Sequence, residues 1–440
     1  MSSNLIQSKL SAGKTINKPG LQLPGDYAIK ALSIVTSDGT VVDITQLAVE
    51  ISIFEDIFAP CVTGTILMGD ALDLISNFKL QGNEWIILEI DKPGLGSPYK
   101  KFFRIYKIAE RSIGTTIQNY LIHFTSEEMV LSLQYLISKS YKGMPITNMV
   151  KDILKNKLAV LDTKINVLDK SDGVYSLIIP RMNPFEAIEW LTSRAYDSDG
   201  SLFLFYENKD GYNFRSYKNI INQPIYQTYY QRPKTNSFEP GLNVNSVNYL
   251  KINQDFDLLQ SGRYGAYASG LVVYDLVDHK LTPYSYSFKD FQILNSNLPI
   301  NDTKNRLNDT VFNTYDLMFK FYPTVDSDPN INPYQPHKWL NPKAMKLAQL
   351  HTFRMTVTIP FDVLMKVGNI VEVEIPEAVP KDKKKRVNQA RTGKYLVSAV
   401  HHTMIHDSAT TVMELLSDSI EGGLYAPNNQ SQGMISVKRG

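Results

Sequence analysis

The chain has 440 residues, of which 43% are hydrophobic and 20% are charged. Because a single hydrophobic core stops growing at roughly 250–300 residues, we expect several folded domains. The 46 basic and 44 acidic residues leave a net charge of +2, which excludes a general electrostatic attraction to nucleic acid or anionic lipid.

The number of cysteines and the start of the chain further limit the class of protein and the compartment in which it is made. A single cysteine, Cys61, excludes an intramolecular disulfide and a multi-cysteine zinc site, and it fits a protein made in a reducing cytoplasm. We interpret Cys61 as a small core residue rather than a nucleophile. The start, Met1–Asn4, has no basic region followed by an apolar run, and no window approaches the ~18 apolar residues of a membrane span. We expect neither a standard secretion signal nor a membrane span.

A polar arm at residues 1–25 is followed by stretches with the period of strands. From Leu47 to Ile53 the larger apolar residues occupy every second position, as in a half-buried strand. Further strand-like stretches are Val62–Met68, Trp85–Ile90, Phe102–Ile108 and Tyr120–Phe124. We therefore predict a first β domain over residues 26–137.

The pattern changes at Pro145, where apolar residues begin to recur at three- and four-residue spacing, as on one face of a helix. A second helix is predicted from Pro184, because proline suits a first helical turn and Asn183 can cap it. Strand-like stretches lie at Tyr175–Ile179 and Ser201–Tyr206. This mixture predicts an α/β inserted domain over residues 138–240.

The last third returns to strands. Polar and apolar residues alternate without a break over Thr352–Ile359 and again over Val371–Ile375. Between residues 275 and 346 no extended period occurs, so we expect a loop-rich insertion that presents loops to a partner. The prediction is a second β domain over residues 241–420, with an insertion at about 275–346, followed by a tail at 421–440.

The two β-rich parts echo each other. In each part a Gly-Asn pair opens one strand, and a strand with an aromatic residue near its start follows. A last strand then ends in a serine, and nearly the same number of residues separates the aromatic residue from this serine in both parts. The matching residues are Gly82, Phe103 and Ser126 in the first part, and Gly368, Tyr395 and Ser417 in the second. This similarity predicts one structural unit used twice.

One histidine cluster carries donors for a metal ion, namely His401, His402 and His406, with Asp407 beside them. Neighbouring residues of a strand point to opposite faces, so His401 and His402 cannot both face one ion without distortion. We interpret them as histidines at a strand end beside a turn, and we predict no metal site.

Pairs of carboxylates suited to acid–base catalysis are Glu127-Glu128, and Glu372 with Glu374 on one face of a strand. Nothing around them indicates a sugar-binding cleft. The sequence contains no phosphate-binding loop, no dinucleotide fingerprint and no nucleophile elbow. We therefore predict no catalytic residue and no cofactor.

A basic run lies between two predicted strands, which places it at the tip of a hairpin loop. Its candidate contact residues are Lys383, Lys384, Lys385 and Arg386. A solvated loop tip is the simpler interpretation, and contact with DNA or an acidic partner is the alternative.

Three segments, taken in order, resemble the baseplate hub proteins of T-even-like contractile phages. Ile53–Pro60, continuing through Val62–Asp70, is similar to the start of the hub's first tube-like domain. Ile179–Ile188 is similar to the entry into the helix of its inserted domain, and Gly262–Gly270 to the start of its second tube-like domain. The resemblance covers roughly residues 27–420. Its structural or interface candidates are Phe54, Glu55, Asp56, Phe58, Pro184, Phe185, Tyr264 and Tyr267.

The resemblance implies an α+β, mainly β fold: two tube-like antiparallel β-barrel domains, an α/β inserted domain and a loop-rich insertion. In that family, three chains form a ring of six similar units, which joins the six-fold tail tube to the three-fold central spike. The implied partners are two further copies of the chain, the tail tube protein and the spike protein. A baseplate wedge protein or a tape-measure protein is a further candidate partner. DNA would be cargo in the channel. The implied location is the baseplate of the virion tail, after synthesis in the host cytoplasm.

Other readings stay open. The hub of an extracellular contractile injection system or of a tailocin would look the same. A type VI secretion spike shares the hub fold but normally continues into an OB domain and a β-helix, so we expect a separate spike protein here. The alternative from a different class is a hydrolase that degrades cell walls, using carboxylates such as Glu127 or Glu189.

Overall fold

The computed structural model describes residues 27–91, 99–198, 202–231, 245–255, 257–265, 268–287, 319–325, 334–375, 391–405 and 408–418. Strands predominate, most strand pairs are antiparallel, and helices are few and short. The predicted mainly β, α+β class is confirmed. The predicted arm at 1–25 and tail at 421–440 lie outside the described residues.

The first β part contains the strands predicted there. Its elements are β1 (Ala28–Val35), β2 (Val41–Asp43), β3 (Ala48–Asp56), β4 (Thr63–Asp70), α1 (Leu74–Asn77), β5 (Trp85–Asp91), β6 (Tyr99–Ile113), β7 (Gln118–Ser126) and α2 (Glu127–Gln134). Sheet packing here depends on Gly64, because a Cβ at this position would lie 2.2 Å from Cζ of Phe124 on the neighbouring strand.

The insert mixes helices with short strands, as predicted. Its elements are β8 (Ile137–Met144), α3 (Ile146–Asn156), a 3₁₀ turn (Asp162–Lys164), β9 (Ile165–Leu168), β10 (Tyr175–Met182), α4 (Pro184–Thr192), β11 (Phe203–Asn208), β12 (Gly211–Ser216) and α5 (Tyr217–Ile221). Helix α4 begins as expected, with Asn183 at the N-cap and its N–H donating to Glu186 Oε2 at 3.1 Å.

The second β part holds the remaining elements. They are β13 (Ile225–Tyr230), β14 (Tyr249–Gln254), α6 (Leu258–Arg263), β15 (Ala268–Asp275), β16 (Lys280–Ser287), β17 (Phe319–Thr324), α7 (Pro336–Leu350), β18 (Phe353–Pro360), β19 (Ile370–Glu374), β20 (Gly393–Ile405) and β21 (Ser408–Ser417). The limits of the three domains stay predictions. Strand β13, near the end of the predicted inserted domain, pairs with β19 of the second β part.

The stretch at 275–346 has more regular structure than its lack of a period suggested. Strands β16 and β17 flank β15 in a three-stranded sheet, and most of α7 also falls within these limits. The periods are hard to recognise because β16 contains one leucine among Lys, Thr, Pro, Tyr and Ser, while α7 carries Pro342 in its interior.

One large sheet runs through both β parts. Its strand order is β14-β18-β21-β20-β3-β4-β7-β6-β5-β1-β2, with β19 on β20 and β13 on β19. The first part therefore has the order β3-β4-β7-β6-β5-β1, and the second repeats it as β14-β18-β21-β20-β19-β13. The copies differ at their ends, where β1 is antiparallel to β5 but β13 is parallel to β19.

The repeat extends to registers and bulges. Phe103 of β6 pairs with Ser126, and Leu396, next to Tyr395, pairs with Leu416, next to Ser417. A bulge follows Ile105 in β6, and another follows Val397 at the corresponding place in β20. Both opening glycines have the positive φ that glycine tolerates, 91° at Gly82 and 84° at Gly368.

The three largest hydrophobic clusters of the described residues each draw on more than one part. Phe361 and Met404 of the second β part pack into the core of the first. Tyr206 and Tyr217 of the insert pack into the core of the second. Cys61 is buried, as predicted, in the core of the insert. The three parts therefore share their cores.

Strand β18 allows a direct test of register. Val357 is fully buried between Leu250 and Met413, whereas Thr356 lies on the opposite face. We expect Val357→Asp to lose several kcal/mol and to unfold the second β part, because the charge would be buried without a partner. Thr356→Asp should stay folded. Thermal melting followed by circular dichroism checks both variants, and the reverse ranking would contradict the register.

Candidate functional site: the junction of the three parts

A buried glutamate of the insert binds the first β part. Glu207, at the end of β11, accepts hydrogen bonds from the backbone N–H of Val62 at 2.9 Å and from the hydroxyl of Ser126 at 2.5 Å. Its other oxygen accepts from Lys101 Nζ of β6 at 2.8 Å. Both charged side chains are largely buried, with exposed fractions of 7% for Glu207 and 12% for Lys101. Removing one member of such a pair strongly destabilises the folded protein, because the other charge is left buried without a partner.

The same ion pair leads on to the second β part. Lys101 Nζ also donates to the backbone oxygen of Asn208 at 2.6 Å. The side-chain amide of Asn208 in turn donates to the backbone oxygen of Val367 at 3.4 Å. Residues of all three parts therefore meet around one buried charge pair.

Glu55 of β3, a candidate from the sequence, lies at this junction. Its side chain is 1% exposed, and Oε2 accepts from the N–H of Val367 at 3.2 Å. Within the described residues Oε1 is buried without a hydrogen-bond partner. Burial raises the pKa of Glu55 to about 7, against the opposing effects of Lys101 and of the Val367 N–H. Glu207 and Asp210 raise it further.

The other candidates of the first segment shape the surface beside the junction. Asp56 Oδ1 accepts from the N–H of Phe58 at 2.8 Å and so holds the turn after β3. Phe54 is 38% exposed and stacks on His401 with ring centroids 4.3 Å apart. Phe58 is 43% exposed and lies 5.4 Å from the ring of His351. The segment thus places a carboxylate inside and two aromatic rings outside.

The candidates of the second segment are internal. Pro184 and Phe185 are buried, and the ring of Phe185 lies 6.0 Å from Phe205 and 6.1 Å from Tyr212. The N–H of Phe185 donates to Ser132 Oγ of α2 at 3.1 Å. These contacts pack α4 into the core of the insert and hold its first turn against α2.

Tyr264, from the third segment, takes no part in the hydrogen bonds of the junction described above. It is 54% exposed at the end of α6 and lines a cavity of about 430 Å³ with Asp257, His351 and Arg354. The remaining candidates, Tyr267 and the run from Lys383 to Arg386, lie outside the described residues.

The histidines take opposite faces, as the strand period predicts. His401 is half-buried and interacts with Ser52 Oγ at 3.0 Å. His402 is buried against Thr411 Oγ1 and the backbone oxygen of Met365, and burial lowers its pKa to about 4. No group of three metal-ligating side chains occurs among the described residues, and His406 and Asp407 are not among them. Nor does the described part contain a helix long and apolar enough to cross a membrane.

Three of the candidate catalytic carboxylates, Glu127, Glu128 and Glu372, make structural contacts. Glu127 accepts from Arg104 at 3.2 Å, and Glu128 from Lys164 at 2.6 Å. Glu372 accepts from the hydroxyl of Thr228 at 2.9 Å on the paired strand. Glu189 lines a second cavity, of about 410 Å³, with Lys343. These contacts connect strands and helices.

Sequence reasoning missed Lys101 and Glu207. A signal was present for Glu207, because it directly follows the apolar run Phe203–Tyr206, where a charge must find a buried partner. The partner itself lies 106 residues away in the chain, and no spacing identifies it.

Neutralising the two buried glutamates should have opposite effects. The raised pKa of Glu55 means that its contribution to stability is present below about pH 4.5 and is lost as the pH rises through about 7. Glu55→Gln should therefore match the parent near pH 4.5 and exceed its stability at pH 8, by on the order of 3 kcal/mol. Urea unfolding at both pH values measures this, and a variant less stable than the parent at pH 8 would contradict it.

Glu207→Gln is the matched comparison. It leaves Lys101 buried without a counter-charge, so we expect a loss of about 3–5 kcal/mol at pH 8. If it unfolded at the same urea concentration as the parent, the ion pair would not hold the junction.

No protein-family model matches the sequence, and comparison with curated protein sequences finds no significant match. Among solved structures, the tail protein from Neisseria meningitidis MC58 is similar with a TM-score of 0.54 and 12% identity, over 90% of this chain and 98% of that chain. The 43 kDa tail protein of prophage MuSo2 from Shewanella oneidensis is similar with a TM-score of 0.51 and 8% identity, over 89% and 99%. Identities this low establish the fold alone. The chain has the fold of phage tail proteins, as its resemblance to baseplate hub proteins predicts.

Proposed function

We propose that this chain is a structural baseplate hub subunit, which forms a trimeric ring between the six-fold tail tube and the three-fold central spike of a contractile phage tail. The observation that carries the proposal is the repeated strand order of the two β parts within one continuous sheet. Two similar units in each of three chains present six similar units to a six-fold partner and keep three-fold symmetry for the spike.

The partners follow from this role. The six-unit face would bind the tail tube protein, and the three-fold face would bind the spike protein, with a wedge or tape-measure protein as a further contact. DNA would pass as cargo. The location would be the virion tail baseplate. The hub of an extracellular contractile injection system or of a tailocin needs the same geometry, and identifying the particle that contains the chain separates these cases.

The contacts at the junction support a structural role better than a catalytic one. Its charged groups are directed at one another and at backbone atoms, and they connect the insert with both β parts. Removing one member of a buried charge pair strongly destabilises a fold, so this pair supports a role in holding the three parts together. We therefore propose that Glu207 and Lys101 keep the insert rigidly connected to the two β parts.

Assembly mass tests the trimer. We expect the purified chain, alone or with its spike protein, to reach the mass of three copies, because two units per chain need three chains to make six. Light scattering coupled to size exclusion measures it. A stable dimer or hexamer in the assembled hub would contradict the proposal, whereas a monomer of the isolated chain calls for the measurement with the spike.

Hydrolysis of cell walls is the competing function, and the cavity beside Glu189 gives it a specific site. We expect no clearing of bacterial peptidoglycan by the pure chain in a zymogram. We also expect Glu127→Gln and Glu189→Gln to change stability or assembly only. Clearing that is lost in either variant, while that variant keeps the parent's melting temperature, would establish the enzyme instead.

A further inference from the structure

The cavity beside Glu189 combines an apolar wall with one amine. Its volume is about 410 Å³, and it lies between α4, β11, α7 and the turn after β3. Lys343 of α7 supplies the amine. All four elements contribute apolar side chains to the wall, among them Phe58, Phe185, Leu204 and Leu347. A cavity of this size and lining suits an apolar group that carries one anion.

The amine of Lys343 is incompletely paired. Among the described residues, Nζ donates one hydrogen bond, to the backbone oxygen of Thr192 at 3.3 Å, and it forms no ion pair. Burial lowers the pKa of Lys343 to about 8, although the carboxylate of Glu189 opposes this shift. Arg194 lowers the pKa further. An ammonium group has three donors, so Lys343 can bind a further carboxylate without losing its bond to Thr192.

The chain leaves the second β part next to this cavity. Asp418, the last described residue, accepts from Lys346 Nζ of α7 at 2.9 Å and from the hydroxyl of Tyr217 at 3.4 Å. Residues three apart on a helix are neighbours, so Lys346 lies beside Lys343. The N–H of Tyr217 donates to the backbone oxygen of Leu202, which lines the cavity. Both partners of Asp418 therefore have a neighbour in the cavity wall.

The residues that follow Asp418 match the cavity in chemistry and in reach. The acid Glu421 comes first, and the apolar side chains of Leu424 and Tyr425 follow it. An extended chain spans at most ~3.3–3.6 Å per residue, so Glu421 can lie up to about 10 Å from Asp418. Along α7, positions 343 and 346 are only about 4.5 Å apart. The carboxylate of Glu421 is therefore within reach of Lys343.

We propose that the tail segment, residues 419–425, docks in this cavity of its own chain, with the Glu421 carboxylate on Lys343 Nζ and with Leu424 and Tyr425 against the apolar wall. The contact gives the amine a counter-charge and covers apolar surface that the described residues leave open. It also fastens α7 to α4, because the cavity lies between them. An occupied cavity excludes a substrate from Glu189. The inference does not depend on the proposed hub function.

Acetylation of Lys343 by acetic anhydride tests the contact in the full chain. The reagent reacts with the neutral amine, and a docked carboxylate slows it both by shielding Nζ and by raising the pKa of Lys343. At pH 8, Glu421→Gln and Leu424→Ala should each raise the acetylation rate of Lys343 several-fold, measured by mass spectrometry of the peptide that contains it. The rate at Lys280, which is exposed, should not change.

Ile435→Ala is the matched control, because it removes an apolar side chain beyond the tail segment. It should leave the acetylation rate of Lys343 at the parent's value. Melting followed by circular dichroism shows that each variant is folded. Unchanged rates in folded Glu421→Gln and Leu424→Ala overturn the contact. Equal acceleration by Ile435→Ala overturns its assignment to the tail segment.

A photo-cross-link distinguishes the chain's own tail from that of a second copy, and it leaves every charge in place. The variant Tyr425→p-benzoylphenylalanine keeps an aromatic side chain, which attaches to neighbouring C–H groups on irradiation. We expect a product with the mass of one chain, in which residue 425 is joined to the peptide of Met129 or of Leu347, both in the cavity wall. A product with the mass of two chains assigns the cavity to a second copy and overturns the proposal, as does attachment of residue 425 outside the cavity.

Discussion

The architecture depends on a change of partner along one strand. The start of β20 pairs with β19, and after the bulge at Ser398 the rest pairs with β3. The bulge residue contributes directly, because its carbonyl accepts from the N–H of Ile57 at 2.8 Å and so holds the turn after β3. A strand has only two edges, and the second edge of β20 pairs with β21 from Leu396 to Ile405. The switch therefore joins the two β parts into one sheet.

A continuous sheet fixes how the β parts are oriented, but it leaves the insert to be positioned by other contacts. The buried pair of Glu207 and Lys101 supplies them, with tyrosines of the insert packed into the core of the second β part. Glu55 lies at the same place with one oxygen unpaired among the described residues. Burying a partly satisfied carboxyl costs free energy, so the junction combines strong fixation with one destabilising group.

Local features of the fold could be predicted because they depend on neighbouring residues. The alternation over Thr352–Ile359 predicts β18, and Asn183 with Pro184 predicts the start of α4. The Gly-Asn pairs and their aromatic residues predicted the repeat that the strand order shows. The candidate Glu55 came from the family resemblance, and its burial at the junction could not be predicted from the sequence.

Long-range features could not be predicted for a physical reason. His401 contacts Ser52, which lies 349 residues away in the sequence, and Lys101 contacts Glu207, which lies 106 residues away. Periodicity reports which face of an element is buried, and it carries no information about which element covers that face. Strand β16 and helix α7 were missed because tyrosine, serine and an internal proline mask their periods.

Imaging of the assembled particle by single-particle electron microscopy tests the central claim most directly. The account predicts a ring of three copies in which six similar β units surround one axis. A ring of two or of six copies, or three copies whose β units do not form one ring, would contradict it.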